Sequence, residues 1–213
     1  MVSRGSQLDT LLEISAALAA RNIPALDSSL ARAVETCDSR AVEEALLQSH
    51  LFLGYPASLT GLARWRSILG IAAIDRDDLA TPERVDEWTS RGERICERVY
   101  GRAYEKLRAN ISRIHPAMDR WMVTEGYGKV LGRPGLDLCT RELCIVAMLA
   151  VAGWEPQLHS HLRGALNAGA GSDDIEAALE TGLSHARADT APAARALWRR
   201  VANAHGNGVS GVR

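Results

Sequence analysis

Aromatic side chains are scarce in this chain: they make up 5% of 213 residues, and Phe52 is the sole phenylalanine. Strands draw heavily on aromatic residues, so a chain poor in them and rich in Ala and Leu points away from a β-sandwich and toward helices. Charge of one sign is not in excess either. Twenty-five basic residues face 26 acidic ones, leaving a formal charge of −1 and a pI near 6.6. This removes any global electrostatic case for nucleic acid or an anionic membrane surface as partner. Long hydrophobic runs are also missing. The longest uncharged apolar stretch, Leu143 to Trp154, is about a dozen residues against the ~20 that a membrane span requires, so it reads as a buried helix. The Ala-rich segment Ile14–Ala20 is bracketed by Glu13 and Arg21 and does not read as a signal peptide.

The four cysteines (Cys37, Cys96, Cys139, Cys144) make no CxxC pair and no zinc-like spacing. The expectation is reduced thiols in a cytoplasmic protein without a metal site. The motifs GxxxxGK[ST], GxSxG and HExxH are absent, which leaves phosphate-loop, serine-hydrolase and zinc-protease chemistry without a foothold. A chain of this size buries roughly 70% of its unfolded surface and needs no staple. At roughly 150 residues per domain, it holds one domain or two small ones.

What is present is helical grammar. Leu8, Leu11, Leu12, Ser15, Leu18 and Ala19 recur at three- and four-residue steps, the spacing of one buried helical face. Asn22-Ile23-Pro24 interrupts the pattern, and a second helix at about 25–35 carries Leu26, Leu30 and Val34 on one stripe. Asp38 or Ser39 caps a third, at about 40–52, with Val42, Ala45, Leu46 and Ser49 inward and a stop at Gly54-Tyr55-Pro56. The same order returns later with helices at about 140–151, 157–167 and 173–183, the last capped by Ser172. Val42-Glu43-Glu44-Ala45-Leu46 lies over Ile175-Glu176-Ala177-Ala178-Leu179 at an offset of 133, and Ile14 lies over Ile145 at 131. We read this as an internal duplication of a three-helix unit. The expected division is a degenerate copy over 1–65, a linker and the start of a connecting helix over 66–98, a second copy over 99–200 and a frayed tail over 201–213. Asp75-Arg76-Asp77-Asp78 and Pro82 mark the linker, and a long helix is expected over about 82–113. The expected fold class is all-α.

Candidate chemistry gathers between Tyr100 and Leu179. The runs Val99-Tyr100-Gly101, Glu125-Gly126-Tyr127-Gly128, Arg133-Pro134-Gly135-Leu136-Asp137, Arg141-Glu142-Leu143 and Gln157-Leu158-x-x-His161-x-Arg163-Gly164-Ala165-Leu166-Asn167-x-Gly169 follow one another. Together they resemble the carboxymuconolactone decarboxylase family of the AhpD-like superfamily, strongly over about 90 residues and more weakly in the first half. The resemblance implies an AhpD-like helical fold and a homo-oligomer, trimeric for a duplicated chain or hexameric for single-copy members. The activity it implies is that of a carboxy-lyase acting on a small anionic substrate, such as the lactone step of aromatic compound catabolism, without a cofactor.

In the peroxidase branch of that superfamily a glutamate precedes a histidine by 19 residues with a CxxC pair between them. Glu142 and His161 take the first two places here, while Trp154 and Gln157 stand where the cysteines would be. A thiol-dependent alkylhydroperoxidase needs a thiolate and a resolving partner, so that alternative would have to use Cys96, Cys139 or Cys144 in another arrangement. Decarboxylation fits what remains. Electrons released with CO2 flow into the lactone carbonyl, and the enolate is protonated on carbon. His161 suits proton delivery and Glu142 can orient it. Arg133 or Arg163 can hold a carboxylate by a two-pronged hydrogen bond, and Tyr127 and Trp154 can line the pocket.

Each residue has a plainer reading. Glu142 could serve the helix dipole alone, Arg133 could anchor a turn, Arg163 could form an interface salt bridge, and Tyr127 and Trp154 could simply pack. His159 lies about 200° around the helix from His161 and is expected at a surface or interface. In the first copy Ser29 and Asp27 stand where His161 and His159 stand in the second, so that unit reads as scaffold, with His50 packing. A third possibility is a non-catalytic helical oligomer that binds a small metabolite.

Overall fold

The structure, a computed structural model, describes residues 4–70 and 84–210, the side chains of Arg4 and of 206–210 aside. The charged run at 75–78 and Pro82 lie outside the described residues. Among the described residues the fold is all-α, without a strand, as the AhpD-like resemblance implies. The helices are α1 (Arg4–Ala19), α2 (Ile23–Thr36), α3 (Ser39–Gln48), α4 (His50–Leu53), α5 (Tyr55–Leu69), α6 (Val85–Tyr100), α7 (Tyr104–Ile114), α8 (Pro116–Trp121), α9 (Leu138–Ala152), α10 (Glu155–Ala168), α11 (Ser172–His185) and α12 (Ala191–Ser210). A 3-10 turn, Gly101–Ala103, follows α6, and a π-helix, Met122–Leu131, follows α8. None of these helices is long and apolar enough to cross a membrane.

The chain is organised around α9. Every residue from Arg141 to Ala150 is buried, and α1, α10 and α11 pack around it. Each large apolar side chain taken out of water there contributes about 1.5–3 kcal/mol, so this helix anchors its neighbours. Three side chains cap helix starts, of which Asp38 was expected from the sequence and Asn22 and Asp137 were not. Asn22 accepts from the Ala25 amide to start α2, Asp38 accepts from Arg40 and Ala41 to start α3, and Asp137 accepts from Thr140 to start α9. Gly171, not Ser172, holds the N-cap position of α11, and it offers no side-chain cap.

The two helical triplets have matching boundaries. α2 begins at Ile23 and α10 at Glu155, 132 residues on; α3 begins at Ser39 and α11 at Ser172, 133 on. This spacing supports the proposal that one three-helix unit was duplicated. Other boundaries differ from the sequence expectation. Gly54 ends α4 with φ +82, but Tyr55-Pro56 opens α5 rather than a loop, because proline fits the first turn of a helix. The long helix over 82–113 is instead two helices. Gly101 turns at φ +52 and ψ −130, a conformation that costs a side-chain-bearing residue dearly, and it separates α6 from α7. Val34 is half exposed, and Ala33 takes its place in the core. Helix α12 continues through the tail to Ser210.

Candidate active site

The segment between the π-helix and α9 explains most of the Arg133-to-Glu142 motif as architecture. Arg133 Nε donates to both oxygens of Glu44 on α3, at 3.0 and 3.1 Å, and Arg141 Nη2 donates to Glu44 Oε2 at 2.8 Å. Arg141 also donates to the carbonyls of Leu136 and Arg133 and to Gln48 Oε1. All three ionic groups are buried. Two guanidinium groups thus share one carboxylate, and the loop is clamped onto the first triplet. Arg133 joins this cluster through Nε and serves as the turn anchor of the plainer reading, while it also borders a cavity of about 210 Å³ beside His50 and Tyr55.

Once the loop is pinned, α9 delivers Glu142 inward. Its helix starts at Leu138, so Glu142 stands beyond the first turn and the helix dipole does not account for it. Its Oε2 meets His161 Nδ1 at 2.8 Å across the 19-residue separation, with Glu142 fully buried and His161 7% exposed. Oε1 of Glu142 is buried with no hydrogen bond to any described residue. A buried carboxylate oxygen without a partner costs about 1–3 kcal/mol or more. When Glu142 is ionised it only accepts, so the imidazole proton sits on Nδ1 and Nε2 is the atom free for proton transfer. Phe52 of α4 meets the imidazole edge-on at 5.2 Å between ring centres.

The close approach depends on Gly164, one turn beyond His161. A Cβ there would come within 2.7 Å of Glu142 Oε2 and 2.9 Å of Val99 Cγ1. Beside the pair, Tyr127 donates its hydroxyl to Tyr100 Oη at 2.7 Å. Burial holds both phenols above the usual tyrosine range, and the Glu142 charge adds to this. Burial likewise pushes the Cys96 and Cys144 thiols up to about 12, so neither is a thiolate at neutral pH.

The remaining candidates separate. Tyr127 is buried beside the pair. Trp154 is 60% exposed at the start of α10. Arg163 is exposed and, together with His159, lines a cavity of about 780 Å³, which also takes in Tyr100, Arg102 and Arg200. His159, expected as a bystander, therefore lines a cavity, whereas neither His161 nor Glu142 lines that cavity or the hollow of about 250 Å³ beside it. His50 stacks on Tyr55 and bonds the Leu47 carbonyl, a packing role. Ser29 bonds the Ala25 carbonyl, and Asp27 pairs with Arg64. Phe52, Gly164 and Tyr100 were not singled out as site residues from the sequence. Gly164 and Tyr100 stand inside the motif runs, whereas Phe52 comes from the weakly matching half.

Fold and site together define, among the described residues, an all-α protein with a buried carboxylate–imidazole pair held between α9 and α10, two packed neighbours of one helical triplet. Residues 116–200 match the model of the Carboxymuconolactone decarboxylase family, and this supports the kinship that the motif runs indicated. The match begins at α8 and ends within α12, and it contains both Glu142 and His161. The chain is also similar to Peroxisomal protein 2 of Schizosaccharomyces pombe, 26% identical over 143 residues that make up 67% of each chain.

Proposed function

We propose that this protein is a cofactor-independent enzyme of the carboxymuconolactone decarboxylase type, acting on a small carboxylated lactone or related anion. The observation that carries the reading is the 2.8 Å contact between His161 Nδ1 and a fully buried Glu142 inside the segment that matches the family. In this scheme the substrate carboxylate leaves as CO2, and its bonding electrons pass through the adjacent double bond to the lactone carbonyl oxygen. The protonated imidazole then gives the Nε2 proton to carbon, and the enolate collapses to the unsaturated product. Glu142 keeps Nδ1–H oriented and balances the imidazolium charge, and the spent proton is regained from solvent. The four thiols, none in a disulfide, suit a reducing cytoplasm, and we extend the family analogy to a homotrimer or hexamer.

The test is direct. Incubated with carboxymuconolactone, the purified protein should consume it with loss of the lactone absorbance, and His161→Ala should lower turnover by roughly 10²–10⁴-fold. Full turnover by His161→Ala would remove the mechanism. A second reading, a non-catalytic oligomer that binds a metabolite, is favoured by one observation: the imidazole packs against Phe52 and does not line the cavity of about 780 Å³ or the hollow beside it. Inactivity of the wild type alongside specific binding of a carboxylate would select it. The thiol-peroxidase reading has the least support, because Cys96 and Cys144 are sealed as thiols.

A further inference from the structure

The geometry points to a second site, a cationic cleft between α10, α12 and the turn after α6 that binds a small organic polyanion carrying at least two phosphate or carboxylate charges. It stands apart from the proton-transfer reading, since neither Glu142 nor His161 lines it. Helix α10 has two working faces. His161, Leu162 and Ala165 turn inward to the core, whereas His159, Arg163 and Asn167 follow at four-residue steps along the opposite stripe and line the cleft. Arg102 enters from the 3-10 turn, and Arg200 and His205 enter from α12. An adjoining hollow of about 250 Å³ shares Tyr100, His159, Arg163 and Asn167 and adds Lys106.

Exposed arginines along one helix are ordinarily a solvated face. Here they converge from three elements onto one concavity of about 780 Å³, within the ~300–1,000 Å³ range of small-molecule sites. Counter-charge is thin. Arg200 meets Glu155 at 3.3 Å with both side chains more than half exposed, while Arg102 and Arg163 form no ion pair among the described residues. In a chain of net charge −1 this is a local concentration, and a concave wall focuses it. Burial, then Arg163 and Arg200, depress the His159 imidazole, in keeping with a positive potential inside the cleft. Guanidinium forks match phosphate and carboxylate oxygens in pairs. Leu166, Val201 and Ala204 supply an apolar wall for the body of an organic ligand.

Isothermal titration of the full chain at constant ionic strength tests this, with pyrophosphate in one arm and citrate in the other. Saturable binding is expected, weakened about tenfold or more by Arg163→Gln and by Arg200→Gln. It should be unchanged in Arg195→Gln, which removes an α12 arginine paired with Glu180. Tighter pyrophosphate assigns a phosphorylated ligand, and tighter citrate a polycarboxylate. Binding retained in His161→Ala separates this site from the catalytic reading whichever way that reading falls. Absence of saturable heat with both probes overturns the inference, as does an Arg163→Gln/Arg200→Gln double variant that binds like the wild type.

Discussion

Gly164 is the residue on which the Glu142–His161 contact turns. In an exposed helix a glycine-to-alanine change gains about 1 kcal/mol of helix propensity. At this position the new methyl would sit 2.7 Å from Glu142 Oε2 and 2.9 Å from Val99, and overpacking of this kind costs about 1–3 kcal/mol. The carboxylate is sealed on all sides and cannot swing into water, so the relief available is to move away from His161. Gly164→Ala is therefore expected to lower turnover by about tenfold or more with only a modest loss of melting temperature. Nitrogen NMR of His161 should show a mixture of tautomers in place of the Nδ1–H form. Wild-type turnover with an unchanged imidazole spectrum would show that the contact tolerates the methyl and does not govern the rate. The pair itself was legible in the sequence through its 19-residue spacing and the surrounding motifs. The roles of the flanking arginines were not, because a linear pattern does not say which carboxylate an arginine meets. Arg133 turned inward to Glu44, 89 residues away in the chain, and Arg163 turned outward into the cleft.

At the scale of elements, the contact between α6 and the π-helix shows why helix type and packing escaped the sequence reading. Apolar spacing announces a buried face but not a change of helical pitch, and Glu125-Gly126-Tyr127-Gly128 could be read only as a motif. In the structure Gly128, together with Gly92 on α6, has a mechanical reason. A Cβ on Gly92 would lie 2.0 Å from the Val123 carbonyl oxygen, and one on Gly128 would lie 2.0 Å from that of Trp88. The two backbones touch, Arg91 donates to the Gly128 carbonyl at 2.6 Å, and Tyr127 is thereby aimed at Tyr100. Backbone atoms cannot rotate aside as a side chain can, so Gly128→Ala must separate the helices. The expected cost is at the upper end of ~1–3 kcal/mol in urea denaturation, together with loss of the Tyr127–Tyr100 hydrogen bond. A change under ~0.5 kcal/mol, the range of an ordinary surface substitution, would show that the helices are not in register at these glycines. The triplets α1–α3 and α9–α11, by contrast, were legible almost to their ends, since the apolar period ran through each helix and Asp38 capped α3 as its residue type suggests, although no side chain caps α10 or α11. Helix α5 was missed because Gly54-Tyr55-Pro56 signals a stop and a start with the same residues.

Across the whole molecule, the cluster of Glu44, Gln48, Arg133 and Arg141 joins what the sequence presents as separate copies. It is the polar counterpart of the apolar packing between α1 and α9, and it sits where α3 leads into α4 and so into Phe52 over His161. Three buried ionic groups with a net positive charge are not an economical way to gain stability, and well-packed apolar residues would often serve as well. Removing one partner is a different matter. Burial already lowers the Arg141 pKa, with Arg133 acting in the same direction and Glu44 opposing both. Glu44→Gln keeps the side-chain volume yet leaves two guanidinium groups facing each other in the core, at an expected cost of about 3–5 kcal/mol. If the cluster binds the halves into one cooperative unit, urea unfolding of Glu44→Gln in two backgrounds, one keeping only Trp65 of the five tryptophans and the other only Trp198, should give a lower midpoint by fluorescence. The two probes should also part company as the first half loosens before the second. A variant that unfolds in a single coincident transition within ~1 kcal/mol of wild type would mean that apolar contacts alone hold the copies together.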